Sequence, residues 1–318
     1  MKKIFSIILL TGLITFCFAA SENAGTTGFT FSRLLFSPRA SAMGSAYTGV
    51  SSDAEAVFFN PAGLYQITGT QVSAVYMNYL EGINCGSLVY AKSLNNHSAY
   101  ALYSRFLSTT ETRTLSDAQG NYLGTDGTFG YSNIDAGGSY SYHFSNSLNL
   151  GSTARLLYES IDGNSASAFA FDLSLYHITE NENLHIGIAL RNLGFQLSSF
   201  TSDNYKENLP ALVDLGFGFQ IIPALLLAAD FYKPFQNDYY LRYGLEVIPQ
   251  ENLRIRAGYK SEATDWKTGG SGETLAGLTG GFGIIWDRYE INYAFMSSGD
   301  LGFVNQVGIC YKLKGNQK

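Results

Sequence analysis

From Gly69 onward, apolar and polar residues alternate in runs of about 8–14, separated by clusters of Gly, Asn, Asp and Ser. In Asn252–Lys260, Leu253, Ile255, Ala257 and Tyr259 share one face, opposite Asn252, Arg254, Arg256, Gly258 and Lys260. Arg288–Met296 repeats the pattern, with Tyr289, Ile291, Tyr293 and Phe295 opposed to Arg288, Glu290, Asn292 and Ala294. The same alternation sets Leu184, Ile186, Ile188 and Leu190 against His185, Gly187, Ala189 and Arg191. It also sets Val307, Ile309, Tyr311 and Leu313 against Gln306, Gly308, Cys310 and Lys312. A period of two means strands with one greasy face. Two runs, about 70–79 and 84–92, alternate poorly, and the pattern leaves their register open.

Fourteen runs are counted, beginning near residues 70, 84, 97, 129, 148, 166, 183, 211, 224, 239, 252, 278, 288 and 304. One set of connectors is short: Ser93–Asn96, Ser145–Ser147, Glu180–Glu182, Ile222–Pro223, Pro249–Glu251 and Asp287–Arg288. The other includes Ser108–Thr128, Gly194–Pro210 and Ser261–Gly277, each about 17 to 21 residues. An even strand count, short turns on one rim and long loops on the other describe a bacterial outer-membrane barrel. A soluble sandwich alternates too, but it does not sort its connectors by length. On this layout both chain ends lie at the short-turn, periplasmic rim. Tyr142, Phe144, Tyr158, Phe231, Tyr232, Tyr239, Tyr259 and Tyr311, near run ends, fit the aromatic girdles of such a barrel.

Composition agrees. Of 318 residues only 14% are charged, against about 25% in an ordinary soluble domain. Aromatic residues also reach 14%, and the net charge is −6 with no Lys/Arg run, which excludes a nucleic-acid partner. Met1-Lys2-Lys3, an apolar stretch Ile4–Phe18 and the small pair Ala19-Ala20 predict a secretory signal peptide over 1–20. The nine apolar residues Ile221–Ala229, with Pro223 inside, fall short of the ~20 a membrane helix needs. Any crossing must therefore use strands closed into a barrel. The mature chain keeps only Cys85 and Cys310, on strands separated by the first, so both are expected to be free thiols.

Residues 21–68 read differently. Ser37–Ala46 is a run of small residues carrying Arg39, Met43 and Gly44. Ser52 and Glu55 have capping-box spacing, and Asn60 is placed to cap a turn that opens at Pro61. Short capped helices and tight turns of this size fit inside a tube of strands. The chain is therefore divided into a signal peptide (1–20), a luminal hatch (21–68) and a β-barrel (69–318). The expected fold class is all-β: a transmembrane antiparallel β-barrel of about 14 strands with an N-terminal luminal hatch.

Arg39-Ala40-Ser41-Ala42-Met43-Gly44, followed by Asp53-Ala54-Glu55-Ala56-Val57-Phe58-Phe59-Asn60-Pro61-Ala62-Gly63-Leu64, resembles the N-terminal signature of PorV/PorQ-type proteins of the FadL superfamily. Leu253–Tyr259, Gly277–Gly283, Tyr289–Phe295 and Gly299–Gly302 are similar at the other end. The resemblance implies a fourteen-stranded barrel with a hatch in the bore, whose signature residues here are Arg39, Met43, Gly44, Asp53, Asn60, Pro61 and Gly63. It implies a role in type IX secretion, binding or shuttling secreted cargo beside a translocon. The alternative it leaves open is FadL-like passive transport of hydrophobic small molecules. Ser51-Ser52-Asp53 departs from the paired acids common at that point in the family.

Enzyme signals are missing from the sequence. Gly269–Glu273 has neither a Walker lysine nor a nucleophile elbow, and His97, His143, His177 and His185 make no ligand pair by spacing. No cofactor or metal is expected. The expected partners are outer-membrane lipid, with secreted proteins, a translocon or hydrophobic small molecules. Alternation predicts that Arg155, Asp172, Arg191, Asp230, Arg242, Glu246, Arg254, Arg256 and Glu290 line the bore. Arg39 is expected to hold the hatch by pairing with Glu246 or Glu290.

Overall fold

A computed structural model describes residues 25–180, 182–202, 205–266 and 269–313. The expected signal peptide, 1–20, lies outside the described residues. Fourteen strands form one closed antiparallel barrel in which each pairs with its sequence neighbours. The first seven are β1 Thr70–Asn78, β2 Asn84–Asn95, β3 Ser98–Ser116, β4 Tyr122–Ser145, β5 Leu148–Ile161, β6 Asn164–Ile178 and β7 Leu184–Ser198. The rest are β8 Leu212–Ile222, β9 Leu225–Pro234, β10 Tyr240–Gln250, β11 Leu253–Lys260, β12 Leu278–Trp286, β13 Tyr289–Ser297 and β14 Phe303–Leu313. β1 closes the tube on β14, from Thr70 opposite Leu313 to Asn78 opposite Asn305.

Thirteen strands begin within two residues of their expected starts; β4 does not. It begins at Tyr122, and most of the stretch expected to be the loop Ser108–Thr128 is a hairpin raised above the rim. The reason is local: Thr109, Thr110, Thr112 and Thr114 are β-branched and keep pairing with β4. The turn itself is confined to Asp117–Asn121, where the Asp117 carboxylate accepts from the amides of Gln119 and Asn121. At the same rim β5 and β6 join through only Asp162-Gly163, both at positive φ, so that rim is not uniformly long-looped.

The outer face is apolar. Leu88, Leu102 and Leu156 are 57%, 57% and 58% exposed, and Ile188, Ile255, Ile291, Val307 and Ile309 stand out with them. A continuous belt of this kind is stable only against lipid. Tyr142, Phe144, Tyr158, Phe231 and Tyr239 face out as expected of girdle residues; Tyr232 is buried and points into the bore. No described helix is long and apolar enough to cross a membrane.

The described residues before β1, 25–69, fill the bore. They contain one α-helix, α1 Pro38–Ala42, and 3-10 turns at Thr30–Arg33, Ala54–Phe58 and Pro61–Gln66. Phe36, Met43, Tyr47, Phe59 and Leu64 are completely buried, each contributing about 1.5–3 kcal/mol by leaving water. They share one cluster with Met77, Cys85, Val89, Ala91, Ala99, Ala101 and Tyr103 on the inner faces of β1, β2 and β3. This explains the weak alternation of the first two runs: their inward positions meet an apolar plug rather than water. The expectation that both chain ends lie at the short-turn rim needs correcting. Thr27 bridges Asn208 in the β7–β8 loop, and the Gly28 amide donates to the Asn208 carbonyl at 3.2 Å. The hatch descends the bore, so its start and its end lie at opposite mouths.

Candidate functional site

The hatch is held from every side of the wall. Ser37 caps α1, accepting from the Ala40 amide, with Pro38 at the first helical position. That helix aims Arg39 at β10, where its Nε and Nη2 donate to the two Glu246 oxygens at 3.1 and 3.0 Å. Arg39 Nη1 also reaches the Tyr47 hydroxyl, Ser52 Oγ and Asp53. Glu246 accepts a second guanidinium, Arg256 Nε at 2.6 Å, while Glu290 takes Lys312 at 2.7 Å.

Beyond α1 the Gly44 amide donates to Thr279 Oγ1 at 2.9 Å, and that hydroxyl donates to the Ala42 carbonyl. The amides of Tyr47 and Thr48 both donate to Asp230 Oδ2 at 2.9 Å. Asn60 caps the turn at Pro61 and ties it to the wall, donating to the carbonyls of Thr48 and Leu175. The capping box expected at Ser52 is not formed. Asp53 is the cap, accepting from the Glu55 amide, because Ser52 is taken by Arg39 and Glu55 by Ser73.

Glycines make this fit close. Carbonyl and amide atoms of Met43, Gly44, Thr48 and Gly49 lie where side chains of Gly244, Gly258, Gly187 and Gly216 would project inward. A Cβ on Gly244 would sit 2.6 Å from the Met43 carbonyl oxygen. Within the hatch, Gly44 stands at φ +64 against the β10 and β11 backbones, and Gly63 packs on the Ser51 carbonyl.

Eight of the nine expected lining residues are gathered inside. Arg155 reaches Asp135, Asp172 and Asn192, and Arg191 joins Asp214 at 3.0 Å to the Phe58 carbonyl at 2.6 Å. Arg242 pairs with Glu262 and lies over the Tyr232 ring, 3.6 Å from its centroid. Arg254 is the exception: at the turn below β11 it donates to the carbonyls of Gln250, Glu251 and Leu253. The inward-face argument missed Arg105, 1% exposed, which joins Asp135 to the carbonyls of Ser32 and Leu34. Its signal was present, since Tyr103, Arg105 and Leu107 alternate in β3, but three of its contacts are Phe31, Phe36 and Phe58 rings of the hatch. The four histidines, scattered in sequence, all stand at the short-turn rim, His97 in the β2–β3 turn and the others near strand ends, and there Tyr65 stacks on His143 at 4.4 Å. No group among the described residues could hold a metal ion.

Above the hatch, at the long-loop end, lies a cavity of about 390 Å³. Leu34, Met77, Leu80, Met296, Leu301 and Val304 form its apolar side. Arg33, Tyr240, Arg242, Lys260, Glu262 and Asp265 form the polar side. The Ser261–Trp266 turn closes over it, with Glu262 bound to Arg242 at 2.8 Å and Lys260 at 2.7 Å. Burial works to raise the Glu262 carboxyl, but these two cations outweigh it and hold it down at about 2.

No protein-family model matches the chain, and no curated protein does. Solved structures do. A deltaS2S3 mutant of the monoaromatic hydrocarbon channel TodX aligns with TM-score 0.61 and 15% identity, covering 87% of this chain and 97% of its own. The toluene transporter TbuX of Ralstonia pickettii gives 0.59 and 14%, over 88% and 98%. A FadL homologue of Pseudomonas aeruginosa gives 0.57 and 12%, over 87% and 98%. At these identities the likeness is one of fold: a FadL-like barrel of outer-membrane type.

Proposed function

We propose that the chain is a non-enzymatic, passive outer-membrane channel for hydrophobic small molecules, exported by the signal peptide at 1–20. Residues 21–68 serve as a hatch across the bore and 69–318 as the wall. The observation that carries this reading is the half-apolar cavity above a hatch lodged backbone-to-backbone against the wall. Such a bore resists ions and water but offers a greasy recess to a solute arriving from the long-loop side. Without a nucleotide site, flux follows the solute gradient.

The FadL-like alternative thus has better support than the PorV/PorQ-type secretion role expected first. Two of the fold neighbours named above, TodX and TbuX, are described as a monoaromatic hydrocarbon channel and a toluene transporter, and the cavity suits a small guest better than a protein cargo. Vesicles loaded with purified protein test the proposal. Toluene flux should rise over protein-free vesicles while ion conductance stays low, and native mass spectrometry should find small apolar guests retained. Unchanged toluene flux, or stoichiometric recovery with a secretion translocon, would reject it.

A further inference from the structure

The hairpin raised above the rim has two strand edges that no described residue pairs with. β2 meets β3 no higher than Asn84 opposite Ser108, and β5 meets β4 no higher than Ile161 opposite Tyr131. Above those points β3 and β4 pair only with each other. The His143 amide donates to the His97 carbonyl and the Asp117 amide to the Asn121 carbonyl, so the odd-numbered residues of β3 bond to β4. Thr110, Thr112 and Thr114 therefore aim their N–H and C=O groups away from β4. The two edges differ. Both register shifts of the hairpin put the extra residue on β4, where Gly124 and Gly127 also stand at positive φ, so that edge is broken. β3 runs without a bulge from Ser98 to Ser116 and holds neither Pro nor Lys, residues that blunt an exposed edge. Beside it the tight β1–β2 turn leaves a recess of about 460 Å³, lined by Glu81, Gly82, Asn84 and Ser108–Glu111.

Charge narrows the partner. Residues 109–130 carry Glu111, Asp117 and Asp126 against Arg113 alone, and Arg113 is bound to Asp162. Glu81 and Glu111 are exposed in the recess and pair with no cation among the described residues. A second copy fits badly. Two barrels in one membrane share an up direction, so their β3 edges would run parallel and set Glu111 against Glu111. We propose that Thr109–Ser116 is a docking edge for an extended basic segment of another protein, added antiparallel to β3 in line with β2. Its Lys or Arg faces Glu111, a second enters the recess at Glu81, and an apolar residue faces Leu115, which is 47% exposed. Backbone pairing supplies the affinity, and the exposed charges select the partner and its register.

Fluorescence anisotropy on the detergent-purified full chain tests this with a labelled, end-capped peptide, Val-Thr-Thr-Thr-Lys-Thr-Thr-Thr-Lys, and its analogue with Glu for Lys. The basic peptide should bind at least tenfold more tightly than the acidic one. Thr112→Pro removes an edge N–H and no bond to β4, and should weaken binding tenfold or more. Glu111→Lys should shrink the preference for the basic peptide, while Thr128→Pro, on the β4 edge, should leave binding unchanged. Heat-modifiable gel mobility checks that each variant is folded. The proposal is overturned by absent binding, by equal binding of the acidic peptide, or by binding that survives Thr112→Pro or is lost in Thr128→Pro. A dimer in native mass spectrometry that Thr112→Pro dissolves would overturn it in favour of self-pairing. None of these outcomes bears on the channel reading, which toluene flux tests separately.

Discussion

Arg39→Glu is the most informative perturbation of the hatch. It removes a two-pronged, largely buried contact to Glu246 and places a third carboxylate beside Glu246 and Asp53. Breaking a buried pair from one side costs about 3–5 kcal/mol. Glu246 keeps Arg256 at 2.6 Å, so it is not orphaned, and the low end, about 3 kcal/mol, is expected. At ~1.4 kcal/mol per decade that loosens α1 roughly a hundredfold more often. The Asp230 anchor and the glycine contacts remain, so the result should be frequent brief openings in planar bilayers, not a steady pore. Amide exchange across residues 38–48 should accelerate in parallel. If a folded Arg39→Glu barrel shows wild-type event frequency and wild-type exchange, the fork does not hold the floor.

Gly258→Val would drive a side chain into the Met43–Gly44 backbone; overpacking typically costs about 1–3 kcal/mol, and urea titration in vesicles should show at least that loss. A neutral result would mean the hatch does not rest on β11. Glu262 sets the pH response of the vestibule turn. Its folded pKa of about 2 lies below the ordinary 4.5, so its stabilisation is complete above pH ~4.5 and disappears as pH falls through about 2. That contribution is at most about 3 kcal/mol. Protection of the amides at 261–266, taken relative to the intrinsic exchange rate at each pH, should be steady from pH 8 to 5 and fall below ~4, and Glu262→Gln should flatten the profile. Cys85 and Cys310 are buried and free on either side of β1, so non-reducing mass spectrometry of the unfolded chain, expressed without residues 1–20, should find two alkylatable thiols and no bridge.

The sequence by itself determined the wall. Strand count, strand starts and facing depend on a period of two and on turn residues, both local properties, so Arg256, Glu246 and Ile255 declared their sides without help from the rest of the chain. Local chemistry also placed the Asn60 cap and the proline-led turn after it. What only the tertiary structure decided is which side chains meet across the bore. Arg39 and Glu246 are 207 residues apart, and closing the barrel alone brings them together. The same closure turned β1 and β2 toward an apolar plug and hid their alternation. It drew Ser52 and Glu55 away from a capping box that their spacing favours, because Arg39 and Ser73 offered stronger partners. It also set Arg33, unremarkable in sequence, among the residues that line the vestibule, a placement defined by its neighbours and not by its own segment.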